Sequence, residues 1–119
     1  MTKENIQRIE FGDFQTPDTL ATNICAHLYS LGLRPNVIIE PTCGVGAFVL
    51  AAARAFPAAN EVWGFEVNES YLDKLRDRLK SDLIAERVRV EHADFYDIDW
   101  QARINALQGR ILVVGNFPW

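Results

Sequence analysis

An α/β fold built on a mostly parallel sheet is what this 119-residue sequence predicts. Three observations carry the prediction. Short apolar runs alternate with stretches of helical periodicity. The first and fourth of those runs are apolar throughout, as strands buried on both faces are. Each glycine-rich or polar motif falls directly after such a run, where a doubly wound sheet gathers its ligands.

Residues 1–15 read as an irregular lead-in. Thr16-Pro17-Asp18 is a helix start, with Thr as N-cap, Pro at the first helical position and Asp in the first turn. Leu20, Ile24, Leu28 and Leu31 form one apolar stripe, and Gly32 ends the helix. Val37-Ile38-Ile39 is the first strand. It runs into Glu40-Pro41-Thr42-Cys43-Gly44-Val45-Gly46, and an alanine-rich helix follows over residues 47–56 until Pro57 stops it. Its small side chains let it lie close to the sheet. Val62-Trp63-Gly64-Phe65 is the second strand, closing at Glu66. Asn68 caps the next helix, whose predicted buried face is Leu72, Leu75, Leu79 and Leu83. Val88 and Val90 alternate with Arg89 and Glu91 in a third, less buried strand, with Asp94 just beyond. Residues 97–107 read as a connector or short helix. Ile111-Leu112-Val113-Val114 is the fourth strand, expected to be central, and it ends in Gly115-Asn116-Phe117-Pro118-Trp119.

The length suits one compact domain. The two cysteines, Cys25 and Cys43, suggest neither a zinc site nor a disulfide framework. His27 and His92 read as surface or packing residues. No apolar run is long enough to span a membrane, and the polar N-terminus lacks a signal peptide's apolar core, so a cytoplasmic protein is expected. The formal net charge of −4 argues against this segment gripping a phosphate backbone by itself. Lys74, Arg76, Arg78 and Lys80, interleaved with Asp73, Asp77 and Asp82, read as a solvated helix face laced with ion pairs.

Four strand ends carry chemistry. Gly44-Val45-Gly46 makes a tight turn that lets backbone approach a ligand. A dinucleotide fingerprint wants a third glycine where Val49 stands, which weakens a nicotinamide or flavin reading. The acidic Glu40 beside the turn suits a cofactor without phosphate, such as S-adenosylmethionine with its sulfonium and ammonium groups. Glu66 is placed to accept hydrogen bonds from a ribose diol, which nicotinamide dinucleotides and S-adenosylmethionine both present. Asp94 suits an adenine amino group, and Phe95 the ring face. In Asn116-Phe117-Pro118-Trp119, the Asn116 side-chain oxygen and the Phe117 carbonyl are two acceptors for the N–H groups of a conjugated amino nitrogen. Holding both would draw that nitrogen toward tetrahedral geometry and free its lone pair for attack on a methyl group. Pro118 stiffens the turn, and Trp119 offers a flat face for a flipped-out base.

These motifs resemble those of the amino-group-specific S-adenosylmethionine-dependent methyltransferases, above all the adenine-N6 DNA type. Gly12-Asp13-Phe14-Gln15-Thr16-Pro17 resembles the segment that touches the methionine end of the cofactor. Residues 40–48 resemble the glycine-rich cofactor motif, and the resemblance assigns Glu40, Pro41, Cys43, Gly44, Gly46 and Phe48 to cofactor binding. Phe65-Glu66-Val67-Asn68 resembles the ribose-binding segment, and Ala93-Asp94-Phe95 the adenine-contacting one. Asn116-Phe117-Pro118-Trp119 resembles the catalytic Asn-Pro-Pro-aromatic motif. Phe117 in place of the first proline is a departure that resembles the ribosomal-RNA adenine dimethylases, whereas Gln15-Thr16-Pro17 favours the DNA enzymes.

The resemblance implies a partial Rossmann-like methyltransferase fold, its first four strands ending just past the catalytic motif. It implies methyl transfer to adenine N6 in DNA, of the restriction-modification kind. RNA adenine, a protein glutamine, or a nucleoside-binding module without chemistry are the alternatives. DNA would be held by regions absent here, and little turnover is expected from this chain alone because half the sheet is missing. The bare edge of the fourth strand is expected to pair with another chain.

Overall fold

The computed structural model describes residues 15–117. Its helices are α1 (Asp18–Ser30), α2 (Ala47–Ala55), α3 (Glu69–Leu79) and α4 (Trp100–Asn105), with short 3-10 turns at Leu83–Arg87 and Phe95–Asp97. Its strands are β1 (Val37–Glu40), β2 (Glu61–Glu66), β3 (Val88–His92) and β4 (Ile111–Val113). They form one sheet in the order β3-β2-β1-β4, and every pairing is parallel. Among these residues no helix is long and apolar enough to cross a membrane.

The sheet separates two layers. Ile38, Val62 and Leu112 face α1 and α2 and join their core. Trp63 and Phe65, one residue out of step with Val62, lie on the other face, where Trp100 of α4 meets the Phe65 ring edge-on at 5.2 Å. The alanines of α2 allow the close approach that the sequence suggests: Ala52 and Ala53 are fully buried beside Val49. The Arg87 guanidinium closes this helix's C-terminal end by donating to the carbonyls of Ala53 and Ala59 at 2.7 and 2.9 Å. Asn68 caps α3 as expected, its side chain accepting from the Tyr71 amide.

Four local expectations are corrected. Pro17, not Thr16, is the N-cap of α1, and its carbonyl accepts from the Ala21 amide. The buried stripe of α1 is Ala21 and Cys25, while Leu20 and Leu31 are exposed and Ile24 and Leu28 only flank the core. The helix buries its small side chains fully against the core, while Ile24 and Leu28 pack at the margin of that contact. Leu83 is not on the α3 face: the helix ends at Leu79, Asp82 caps a new turn, and Leu83 is 92% exposed. Finally, β4 is not central but one of the two edge strands of the described sheet, with Val113 exposed.

Leu83→Ser is therefore expected to change unfolding stability by no more than about 0.5 kcal/mol, as substitutions away from packed features do. Urea denaturation of the two chains checks this. A loss several times larger would mean that Leu83 packs in the core after all.

Three of the four basic residues on and just after α3 are ion-paired. Arg76 meets Asp73 at 3.6 Å and Lys80 meets Asp77 at 3.0 Å. Arg78 does more, joining Asp18 of α1 at 3.0 Å and donating to the Val45 carbonyl of the glycine turn at 3.1 Å.

Candidate functional site

Parallel pairing sends all four strand ends to one side of the sheet. The chain steps outward from β1 to β2 to β3, then returns to lay β4 on the opposite flank of β1. Open α/β sheets hold their ligands at such a reversal. A cleft of about 350 Å³ opens there, within the usual size of small-molecule sites. Its wall draws Gln15 and Thr16 from the lead-in, Glu40 and the loop behind it, Ala47 and Phe48 from α2, and Glu66, Val67 and Asn68 from the end of β2. Tyr71, Ala93, Asp94, Phe95, Tyr96 and Asn116 complete it.

The loop after β1 is shaped by backbone that only glycine takes readily. Gly44 and Gly46 have φ of +55° and +97°. A side-chain carbon at Gly44 would run into the Gln15 amide, and one at Gly46 into Leu75. Gln15 accepts a hydrogen bond from the Val45 amide at 3.2 Å, which fixes the lead-in over the turn. The Cys43 amide donates to the Phe65 carbonyl at 2.8 Å, tying the loop to β2.

Two carboxylates meet in this corner. Glu66 takes the Gly44 amide on one oxygen at 2.8 Å and the Asn68 amide on the other at 2.9 Å. It thus joins the glycine turn to the start of α3, with a further lone pair left on each oxygen. Glu40 is 3% exposed, and its Oε1 accepts from the Thr42 amide at 2.9 Å. Burial pushes its carboxyl up to about 8; the amide and hydroxyl of Thr42 pull the other way, and the negative Glu66 adds to the rise. Such a group releases its proton when a cation arrives beside it. Burial, and then the charges of Glu40 and Glu66, push the Cys43 thiol up, which disfavours its thiolate.

After β3, Asp94 spends one oxygen on the Tyr96 amide at 3.0 Å and stays exposed on the cleft wall. Phe95 sits edge-on to Tyr96 at 5.2 Å. The Trp100 indole donates to the Phe95 carbonyl at 3.0 Å and holds this turn in place. After β4, Asn116 is exposed on the cleft, and its backbone carbonyl accepts from the Thr42 hydroxyl at 3.1 Å. Gly115 lies so close to the Glu40 carboxyl that a side-chain carbon there would collide with it.

Most sequence-predicted residues therefore converge on one cleft. Pro17, Gly46 and Phe117 are not on its wall: Pro17 caps α1, Gly46 caps α2, and Phe117 is half-buried beyond the turn. Pro118 and Trp119 lie outside the described residues, as do Gly12, Asp13 and Phe14. Tyr71 and Tyr96 are on the wall without having been singled out from the sequence. Tyr96 follows Phe95 directly, so an aromatic pair at a strand end was the available signal. Tyr71 begins the apolar face of α3 and reads as core. Asn68 was read as a cap and as the last residue of the segment resembling the ribose-binding one, and Thr42 only as part of the loop.

No family model matches the chain. It is 42% identical over 112 residues, 94% of its length, to the type II methyltransferase M.NspV of a Nostoc species. It spans only 23% of that relative. Among solved structures it is similar to an RNA methyltransferase from Salinibacter ruber in complex with S-adenosylhomocysteine. The TM-score is 0.59 at 23% identity, over 72% of this chain and 54% of that one. A tRNA m1G37 methyltransferase from M. jannaschii matches at TM-score 0.61 and 17% identity, over 89% of this chain and 28% of the other. An O-methyltransferase from Thermotoga maritima matches at 0.58 and 21%, over 76% and 34%. These likenesses establish the Rossmann-like methyltransferase fold.

Proposed function

We propose that this chain, a stretch of the S-adenosylmethionine-dependent methyltransferase fold akin in sequence to a type II methyltransferase, binds S-adenosylmethionine in the cleft and serves methyl transfer to adenine N6 in DNA. The observation that carries this reading is the meeting of a buried carboxyl, Glu40, with the glycine turn, Glu66 and Asn116 at one strand reversal. In the same reading the chain is the cofactor-binding part of a longer catalytic domain, which its 23% span of the relative supports.

The residues present fit the cofactor. Glu40 gains its charge back beside a sulfonium or ammonium group. Glu66 has lone pairs left for the ribose hydroxyls, and Asp94 has an oxygen left for the adenine amino group. The aromatic corner of Phe95 and Tyr96 suits the adenine ring. When bound, the cofactor supplies an electrophilic methyl group. The chain's own part is to hold the target amino group: the Asn116 amide oxygen and the Phe117 carbonyl accept its N–H groups and localise its lone pair. The 42% identity to a type II methyltransferase supports DNA over RNA as substrate.

The test is a chimera in which this chain replaces the matching 112 residues of the Nostoc enzyme. N6-methyladenine formed in DNA supports the reading. Methylation confined to an RNA oligonucleotide, or none with either polymer despite a folded chimera, overturns it. Calorimetry of the chain itself supplies a second check. Glu66→Gln is expected to weaken S-adenosylmethionine binding about tenfold, the loss of hydrogen bonds to a charged group. Undiminished binding would remove Glu66 from the site.

A further inference from the structure

Resting on the reading above, the geometry points to Thr42 as a positioning residue that couples the loop after β1 to the acceptor turn after β4. Its two donors go in two directions. The amide donates to Glu40 at 2.9 Å, and the hydroxyl to the Asn116 carbonyl at 3.1 Å, across 74 positions of sequence. The same Glu40 carboxyl is the surface on which Gly115 rests without room for a side chain. Asn116 and the residue before it are thus seated on the loop that lines the cofactor cleft.

The physical case is one of anchoring. Asn116 is exposed and sits just past the end of β4, where the sheet's hydrogen bonds no longer hold the backbone. A side-chain amide there needs a fixed main chain beneath it to keep its oxygen aimed. The threonine hydroxyl supplies that fixing from a β-branched side chain with little rotational freedom. The amide of the same residue holds the Glu40 carboxyl. A cation that restores the charge on Glu40 therefore changes the surroundings of the hydroxyl that holds Asn116. Loading of the cleft is felt at the acceptor turn through Thr42, whose amide meets Glu40 and whose hydroxyl meets Asn116.

The test uses the isotopically labelled chain as wild type, Thr42→Val and Thr42→Ser, each read by nuclear magnetic resonance at the Asn116 carbonyl carbon. Without ligand, the Asn116 carbonyl is expected to move upfield in the valine variant, the direction of a lost hydrogen bond, and to return in the serine variant. With saturating S-adenosylhomocysteine, the ligand-induced shift at Asn116 is expected to shrink about twofold or more in the valine variant and to recover with serine. An equal shift in all three chains overturns the coupling, as does a serine variant that behaves like valine. If S-adenosylhomocysteine moves no signal in the wild-type loop, the cofactor reading fails instead, and the ligand-free carbonyl comparison still decides whether the anchor exists.

Discussion

Asn116→Ala is expected to lower methyl transfer to adenine by about two to three orders of magnitude, the usual cost of one preorganised polar group at the reacting centre. The loss should fall on kcat. In the ground state the target nitrogen is conjugated to its ring and needs no strong acceptor; as it attacks, its N–H groups become more acidic and the Asn116 oxygen gains importance. The chimera with the Nostoc enzyme is the vehicle, scored by mass spectrometry of N6-methyladenine under single turnover. Asn116→Asp is the companion variant. It keeps an acceptor oxygen, so it should retain more activity than alanine. Equal turnover by wild type and alanine variant would remove Asn116 from the chemistry and leave the cleft a binding site only.

The placement of Asn116 depends on topology that the sequence already showed in outline. Four apolar runs, each ending in glycine or polar residues, become four parallel strands whose ends share a cleft. Parallel pairing alone brings Glu40, Glu66, Asp94 and Asn116 together, which is why strand-end residues were legible as a group. Side-chain size misled where contacts are made by small residues. Leu20 and Leu31 outweigh Ala21 in any apolar count, yet the α1 residues buried fully are Ala21 and Cys25. Leu83 continues the α3 period on paper, but Asp82 starts a new turn before it. The apolar run of β4 does not reveal whether a strand has neighbours on both sides, because an edge strand facing helices is also rich in Val and Ile. Hydrogen-bond duties were hidden as well. Nothing in the spelling of residues 40–48 shows that Glu66 holds Gly44, or that the Thr42 hydroxyl reaches Asn116.

The burial of Glu40 has the largest consequence for stability, and Glu40→Gln isolates it. A carboxyl whose folded pKa is about 8, against an ordinary 4.5, keeps its proton in the native state after the unfolded chain has lost its own. Its contribution therefore opposes folding as pH rises through that window, by up to about 1.4 kcal/mol per pH unit, and levels off above it. Glutamine can still accept from the Thr42 amide and has no charge to bury. The variant is expected to match wild type near pH 4.5 and to exceed it in stability by a margin that grows up to about pH 8. Chemical denaturation across that range checks the sign; a variant less stable at pH 8 would show that Glu40 is ionised and well paired when folded. Cofactor binding should run the other way. Wild type gains affinity as Glu40 ionises and releases a proton on binding at neutral pH, whereas the glutamine variant binds at least about tenfold more weakly, one lost charge contact. The cofactor's own amino group titrates near the same pH, so the difference between the two proteins, rather than either curve alone, reports Glu40. A buried acid that lowers stability while the cleft is empty and is relieved by a cationic ligand is a reason for this fold to keep Glu40 where an apolar residue would pack better.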